Sequence, residues 1–160
     1  MDKISIIMGS ESDLDTVQAA IEVLKEFGAA FEVKVLSAHR TPKELEEYVN
    51  SSARKGTKVF IAAAGGSAAL AGVVASHTTL PVIGIPIETK SLKGLDSLLS
   101  TVQMPAGVPV ASMAIGRAGA KNAALFALRI LAIGDSRISS ALVKYKQGMR
   151  IKIKRIKIKL

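Results

Sequence analysis

The chain has 160 residues, the length of one domain, and with 49% hydrophobic and 22% charged residues it can bury a core and need not be disordered. With no cysteine and only two histidines, it excludes disulfides, thiolate nucleophiles and cysteine-ligated metal sites. The net charge of +9 comes mostly from residues 144–160, which carry eight Lys and Arg and no acidic residue, so residues 1–143 are almost neutral.

Five short apolar or alternating runs predict β-strands, and several are apolar on both faces, as in a parallel sheet that helices cover. These strands are Lys3–Met8, Phe31–Leu36, Lys58–Ala63, Pro81–Ile85 and Pro109–Ile115. Helical patterns follow each strand, and Gly residues or a Pro in the first turn mark several of their ends. These helices are Asp13–Phe27, Thr41–Lys55, Ser67–Ser76, Leu92–Thr101 and Arg117–Ile133.

The strict alternation of strands and helices is typical of a three-layer α/β domain with a doubly wound parallel sheet. We expect residues 1–143 to form this single domain, with its five strands in the flavodoxin-like order 2-1-3-4-5. Sheets of this kind bind ligands at the carboxyl ends of their strands, near the point where the strand order reverses. The loops that follow the strands are therefore the place to look for chemistry.

Residues 144–160 form a basic C-terminal tail in which, from Met149 onward, Ile alternates with Lys or Arg. A period of two is a strand pattern, and an isolated strand is unstable in water. We therefore expect this tail to be disordered, or to pair with a sheet edge or another subunit. Attachment to nucleic acid or to an anionic membrane surface is less favoured.

The sequence lacks features that are typical of nucleic-acid-binding, membrane-spanning and secreted proteins. Trp is absent and aromatic residues make up 4%, so few side chains can stack on bases and no nucleic-acid partner is expected. No apolar run reaches the roughly 20 residues of a membrane span, and the N-terminal apolar run is too short for a secretory signal. A cytoplasmic location is the expectation.

The loop after the first predicted strand, Gly9–Asp13, opens a helix. Ser10 and Ser12 offer hydroxyls beside free helix N–H groups, and Asp13 can accept hydrogen bonds from sugar hydroxyls. This loop is an anion site in outline, although an ordinary Ser/Asp helix cap explains the same residues.

The loop after the second predicted strand places His39 beside Arg40, just before another helix begins. Arg grips phosphate through two N–H groups, and His is the side chain best suited to moving protons near neutral pH. A lone His can equally have a structural role, and that is the interpretation we favour for His77, toward the other end of the sheet.

The loop after the third predicted strand, residues 62–72, consists almost entirely of small residues. Gly and Ala let a ligand approach the backbone, although close packing of helix on strand explains much of the composition, and no P-loop or dinucleotide motif is present. Together the three loops suit a phosphorylated sugar whose reactive end faces His39. Taken by themselves, these residues predict only a proton transfer on such a substrate.

Five segments make the sequence recognisable: MGSESD, SAHRTP, AGGSAAL, GLDSLLSTVQMPAGVPV and AIGRAGAKNAAL. In this order and spacing, from about Ile4 to Leu131, the chain resembles the N5-carboxyaminoimidazole ribonucleotide mutases of purine biosynthesis. The resemblance implies a flavodoxin-like subunit in a homo-octamer. It also implies an isomerase that moves a carboxyl group from nitrogen N5 to ring carbon C4, without a metal, ATP or other cofactor, on substrate supplied by an ATP-dependent synthetase.

The resemblance also implies residue roles. His39 stands at the position of the family's acid/base, and Ser10, Asp13 and Arg40 at positions that bind the ribonucleotide. We assign the phosphate to Ser10, Ser37 and Arg40, and the ribose hydroxyls to Asp13. The rest of the substrate-binding site is expected to comprise Ser12, Ala38, Gly65, Gly66, Ser67, Ala68 and Leu70.

One departure stands out in the third loop. The family commonly has GGAAHLPG, whereas this chain has Ala69 at the His position and Ala71 at the Pro position. In the family, the imidazole at this position is expected to contribute to ligand binding or to the packing of the loop, and Ala69 cannot replace it. A degenerate homologue that binds the ribonucleotide without turnover is therefore a second hypothesis.

Two more hypotheses stay open. A related branch carboxylates aminoimidazole ribonucleotide directly with CO2 on the same fold and resembles SAHKT in the second loop, so Arg40 and Pro42 favour the mutase. A non-catalytic phospho-receiver needs an acidic cluster at the strand ends, where only Asp13 stands. The Ala-, Leu- and Ile-rich Arg117–Ile133 suggests subunit contacts, or a helix buried within one subunit.

Overall fold

Five parallel strands in the order β2-β1-β3-β4-β5 form the sheet of the computed structural model, which describes residues 2–158. The predicted strand order is therefore confirmed, and so is the three-layer flavodoxin-like class. The strands are β1 (Lys3–Met8), β2 (Ala30–Val35), β3 (Thr57–Ala64), β4 (Val82–Pro86) and β5 (Ala111–Ser112). The fifth is much shorter than its predicted span because only Ala111 and Ser112 pair with β4.

A short 3₁₀ helix, Glu11–Asp13, leads into the first α-helix, and helices then connect successive strands. The α-helices are α1 (Leu14–Glu26), α2 (Pro42–Arg54), α3 (Leu70–Ser76), α4 (Leu95–Val102), α5 (Gly116–Leu131) and α6 (Ser136–Lys154). Helices α3 and α4 each begin three residues later than predicted, since the residues before them form loops at the sheet edge.

The two faces of the sheet bury separate apolar clusters, as alternation along each strand requires. In β1, Ile4 and Ile6 pack with α1 and α5, whereas Ile7 packs on the opposite side with Leu45 of α2 and Leu70 of α3. The middle layer is thus apolar on both sides, which fixes the strands in place and leaves their carboxyl ends at one rim.

Helix α5 covers one face of the sheet with small residues. Gly119 and Ala120, with Ala123 and Ala124 one turn further on, are buried against α1 and the strands. The small side chains of this helix are therefore used within the subunit, whereas Phe126 on its outer side is 38% exposed.

The C-terminal segment corrects one prediction. Residues 144–154 belong to α6, a helix, and are neither a strand nor disordered; Lys159 and Leu160 lie outside the described residues. Ile138 and Leu142 pack on the core, and the ring of Tyr145 lies 5.5 Å from that of Phe27 between centroids. The helix is thus anchored by its first half, and its cationic second half is exposed. Across residues 2–158, no helix combines the length and apolar character needed to cross a membrane.

Candidate active site

A cleft of about 580 Å³ opens at the carboxyl ends of the strands, where the loops after β1, β2, β3 and β4 meet. The predicted site residues that line it are Ser10, Ser12, Asp13, Ser37, Ala38, His39, Arg40, Gly65, Ser67 and Leu70. This rim is where a doubly wound sheet binds its ligands. The three loops singled out in the sequence therefore converge on one space.

The loop after β1 presents two hydroxyls to the cleft. Ser10 Oγ accepts hydrogen bonds from the Ser12 N–H at 3.3 Å and from the Ser12 hydroxyl at 2.9 Å. The Ser10 N–H donates to Asp13 Oδ2 at 3.0 Å, which closes the turn. The loop is thus held in shape by its own polar groups, and it presents hydroxyls at a helix start, where an anion binds well.

Asp13 is the buried carboxylate of this cleft, with 7% of its surface exposed. Its burial raises the pKa of the carboxyl above the usual value, and the N–H groups of Ser10 and Gly9 together with the charge of Arg40 offset part of that rise. A carboxylate that lines a polar cleft is suited to accept hydrogen bonds from sugar hydroxyls.

The loop after β2 is tied to the loop after β1 by one guanidinium. Arg40 donates from Nη2 to the Gly9 carbonyl oxygen at 2.8 Å and from Nε to Ser37 Oγ at 3.3 Å. Ser37 in turn is fixed by Thr41, whose Oγ1 accepts from the Ser37 N–H at 2.8 Å and donates to its carbonyl at 3.1 Å. Arg40 and Ser37 therefore face the cleft as a preformed pair of donors suited to a phosphate.

His39 lies on the same loop, exposed at the cleft between Ala38 and Arg40. His39 thus borders the same cleft as Ser37, Arg40 and the small residues of the third loop. His77, by contrast, follows the last residue of α3 and does not line the cleft, and its Nδ1 lies 3.9 Å from Glu46 Oε1.

The loop after β3 forms the opposite, largely apolar wall. The cleft is lined here by Gly65, Ser67, Ala69 and Leu70. The predicted residues Gly66 and Ala68 do not line it, and Ala68 is buried, with 2% of its surface exposed. Ala69, at the position where the resembling family has His, therefore presents only a methyl group to the cleft.

The cleft is also lined by Ile87 and Glu88, which directly follow β4 and lie outside the three loops predicted from the sequence. Ile87 adds an apolar side chain beside Gly65, and Glu88 adds an exposed carboxylate at the rim. Their position after a predicted strand is the signal that could have found them, since the rule applied to the first three strands covers the fourth. Among residues 2–158, no group of three or more His, Asp or Glu side chains is arranged to hold a metal ion.

Comparison with known proteins adds a sequence relationship that covers nearly the whole chain. The model of the family described as AIR carboxylase matches residues 3–152. A protein of Saccharolobus solfataricus named N5-carboxyaminoimidazole ribonucleotide mutase is 53% identical over 150 residues, 94% of either chain. A mutase of the same name from Aquifex aeolicus is 59% identical over 130 residues, 81% of this chain and 77% of its own.

The fold is shared with solved structures as well. A PurE protein of Treponema denticola superposes with a TM-score of 0.87 at 30% identity, over 96% of this chain and 94% of its own. A 3-dehydroquinate dehydratase-like protein of Bifidobacterium longum, at 18% identity and a TM-score of 0.53, shares the fold alone. On the extent of the family match and the identity to these relatives, the chain belongs to the AIR carboxylase family.

Proposed function

We propose that this chain is the isomerase that converts N5-carboxyaminoimidazole ribonucleotide to 4-carboxy-5-aminoimidazole ribonucleotide in purine biosynthesis. Its relatives at about half identity carry the mutase name over most of their length. The observation that carries the proposal is the convergence of His39 with Ser10, Ser37 and Arg40 on one cleft. A proton-transfer group then lies beside donors that suit a ribonucleotide phosphate.

The substrate would lie across the cleft with its phosphate on the hydroxyls of Ser10 and Ser37 and on the guanidinium of Arg40. The hydroxyls donate hydrogen bonds to the phosphate oxygens, and the guanidinium adds the complementary positive charge. The ribose hydroxyls would then bond to the buried carboxylate of Asp13. In this placement, the aminoimidazole ring of the substrate lies between the His39 side chain and the wall formed by Gly65, Ser67 and Leu70.

The reaction moves a carboxyl group and one proton. The bond from N5 to the carboxyl carbon breaks, CO2 leaves, and C4 of the ring attacks it to form a new carbon–carbon bond. His39 then removes the proton from the tetrahedral C4. The protonated His39 side chain gives that proton to N5 of the substrate. Atoms and charge balance without an external acid, base or oxidant, so one imidazole suffices.

Retention of CO2 is the second requirement, because the two fragments recombine efficiently only while they share the cleft. The wall opposite His39 is built of Ala64, Gly65, Ala69, Leu70 and Ile87. We expect the apolar groups of this wall to keep water away from CO2 once substrate fills the cleft, while Ser67 adds a hydroxyl to the same side. Ala69 leaves this wall purely apolar at the position where related chains have a ring.

Assays on two substrates test the proposal. Purified protein should convert the N5-carboxylated ribonucleotide to the C4-carboxylated product without ATP or added metal. Bicarbonate-dependent carboxylation of the unmodified ribonucleotide, with no use of the N5-carboxylated one, would assign the chain to direct carboxylation. Calorimetric binding of the ribonucleotide without any turnover would instead make it a degenerate homologue.

We extend the proposal to the oligomeric state, the cellular location and the source of the substrate. Four large apolar side chains, Leu92, Leu95, Leu99 and Val102, lie at helical spacing on α4 and its approach, and each is 48–56% exposed. Such a stripe favours subunit contacts, and we include the homo-octamer in the proposal. A cytoplasmic location and supply of substrate by an ATP-dependent synthetase complete it. Light scattering after size-exclusion chromatography tests the assembly, and a monomeric mass at assay concentration would contradict it.

A further inference from the structure

A buried hydroxyl joins two walls of the cleft from behind. Ser97, on the first turn of α4, is fully buried, and its Oγ donates to the Ile87 carbonyl oxygen at 2.7 Å. The same Oγ accepts from the Gly66 N–H at 2.9 Å. Gly66 belongs to the loop after β3 and Ile87 to the loop after β4, so one side chain outside the cleft connects the two loops that form its apolar side.

The two hydrogen bonds of Ser97 lie just beyond the point where main-chain pairing between β3 and β4 ends. The last main-chain bond between the two segments runs from the Ile87 N–H to the Ala64 carbonyl at 2.9 Å. Beyond it the backbone turns away at Gly66, whose φ of +68° is a conformation that favours glycine. Ser97 then supplies the partners that neighbouring strands would otherwise give to these two polar groups.

The walls that Ser97 joins are already in close contact. A Cβ added to Gly65 would lie 3.4 Å from Cβ of Ile87, so any separation of the two loops opens a gap between cleft-lining residues. Beyond the Ile87–Ala64 bond, this wall is held by the two hydrogen bonds of Ser97 and by a longer one, 3.4 Å, from Ser100 Oγ to the Gly66 carbonyl oxygen.

The helix that carries Ser97 is fixed in turn to the same loops. Thr89 Oγ1 donates to Asp96 Oδ1 at 2.8 Å and accepts from the Gly94 N–H at 3.2 Å. Gly94 has a φ of +87°, and a Cβ there would collide with Ile115 Cγ2 and lie only 3.2 Å from the Cα of Glu88. The start of α4 is thus bonded to the loop after β4 through Thr89, in addition to the two bonds of Ser97.

We propose that Ser97 is a positioning residue that keeps the Gly65–Ser67 segment and Ile87 at the spacing that retains CO2 during the mutase reaction. The inference rests on the proposed function. Without the hydroxyl, the Gly66 N–H and the Ile87 carbonyl lose their partner in a buried place, and the loops separate to reach water. Phosphate and ribose contacts, which come from the other two loops, stay as they are.

The experiment measures how each consumed molecule of N5-carboxylated ribonucleotide divides between the C4-carboxylated product and unmodified ribonucleotide plus free CO2. An enzyme-free blank corrects for spontaneous loss. For Ser97→Ala, we expect the fraction lost as free CO2 to rise roughly threefold to tenfold, in keeping with the loss of one buried hydrogen-bond partner, while KM changes less than about twofold.

The matched control is Ser52→Ala, which removes another buried hydroxyl, 2% exposed, from α2 and away from the cleft lining. This variant should lose stability in the same way and keep the wild-type division. A purely structural role for Ser97 predicts the wild-type division for both variants, and that result would overturn the inference.

Thr89→Val provides a second arm should Ser97→Ala fail to fold, because Thr89 is only partly buried and its loss frees the start of α4 from the same loop. It should also raise the free CO2 fraction, and an unchanged fraction in it overturns the inference. A wild-type protein that fails to consume the substrate would instead refute the proposed function, and this inference with it.

Discussion

Arg40 Nη2 lies 2.8 Å from the carbonyl oxygen of Gly9, so a side chain from the loop after β2 is fastened to the backbone of the loop after β1. The same guanidinium holds Ser37 Oγ through Nε. The two loops that we assign to the phosphate are therefore one unit, and its geometry exists before a ligand arrives. Preorganised donors bind an anion without the cost of ordering them first.

Replacement of Arg40 by Lys should raise KM for the ribonucleotide at least about tenfold, with a smaller effect on kcat. Lysine keeps the charge but cannot bond to Gly9 and Ser37 while it faces the phosphate. Steady-state kinetics measures the split. Arg54→Lys, the same change at the far end of α2, is the control and should behave as wild type. An unchanged KM in Arg40→Lys would remove Arg40 from the phosphate site.

Replacement of His39 by Asn should lower kcat by a factor of about 10² or more and leave KM within a few-fold of wild type. Asn keeps polar groups on the exposed side chain but cannot carry a proton between C4 and N5. His77→Asn, outside the cleft, is the matched control and should keep full activity. If His39→Asn turns over at the wild-type rate, the proton is moved by another group.

The sequence predicted the sheet and most of the site because both follow from local patterns. Apolar runs predicted the five strands, and the strand-end rule located Ser10, His39 and Gly65 on one rim. Glu88 and Ile87 were missed because their segment contains none of the Ser, His or small-residue runs that drew attention elsewhere. The bonds of Ser97 join residues 31 and 10 positions apart in sequence, and no local pattern shows such contacts.

The helical C-terminus was mispredicted because two periods overlap in it. The alternation of Ile with Lys or Arg from Met149 onward is a strand pattern, but Ile138, Leu142, Tyr145 and Met149 repeat at helical spacing. Asp135 also caps the helix, with Oδ1 accepting from the Arg137 N–H at 2.8 Å. This cap and the packing of Ile138 and Leu142 stabilise the first half of the helix, which continues into the basic stretch.

Asp13→Asn should change the stability of the protein in a pH-dependent way. Burial raises the pKa of Asp13, so the native state binds more protons than the unfolded state and wild-type stability falls as pH rises above the ordinary value of 3.8. The free energy of unfolding of Asp13→Asn, relative to wild type, should therefore increase from about pH 4 upward and become constant once the native carboxyl has ionised. Urea unfolding across this range measures it.

Asp135→Asn is the control of opposite sign. The hydrogen bonds from the Arg137 side chain and backbone lower the pKa of Asp135, so its contribution is present above the ordinary value and is lost as pH falls through the native pKa. Stability of Asp135→Asn relative to wild type should thus decrease as pH rises through that range. Equal pH profiles for the two variants would contradict the electrostatic assignment of both carboxyls.

Gly119→Ala tests the close approach at the start of α5. A Cβ at this buried position would collide with the carbonyl group of Ala114, which is backbone and cannot rotate aside. We expect a loss of more than about 3 kcal/mol in the free energy of unfolding, or no folded protein. Gly148→Ala is the matched control, because Gly148 lies within α6 with nothing within 4 Å of an added Cβ. That variant should gain about 0.5–1 kcal/mol, since Ala favours helix over Gly. Urea unfolding of both, with circular dichroism as the probe, decides the matter: similar stabilities for the two variants would show that the backbone around Ala114 yields to a methyl group.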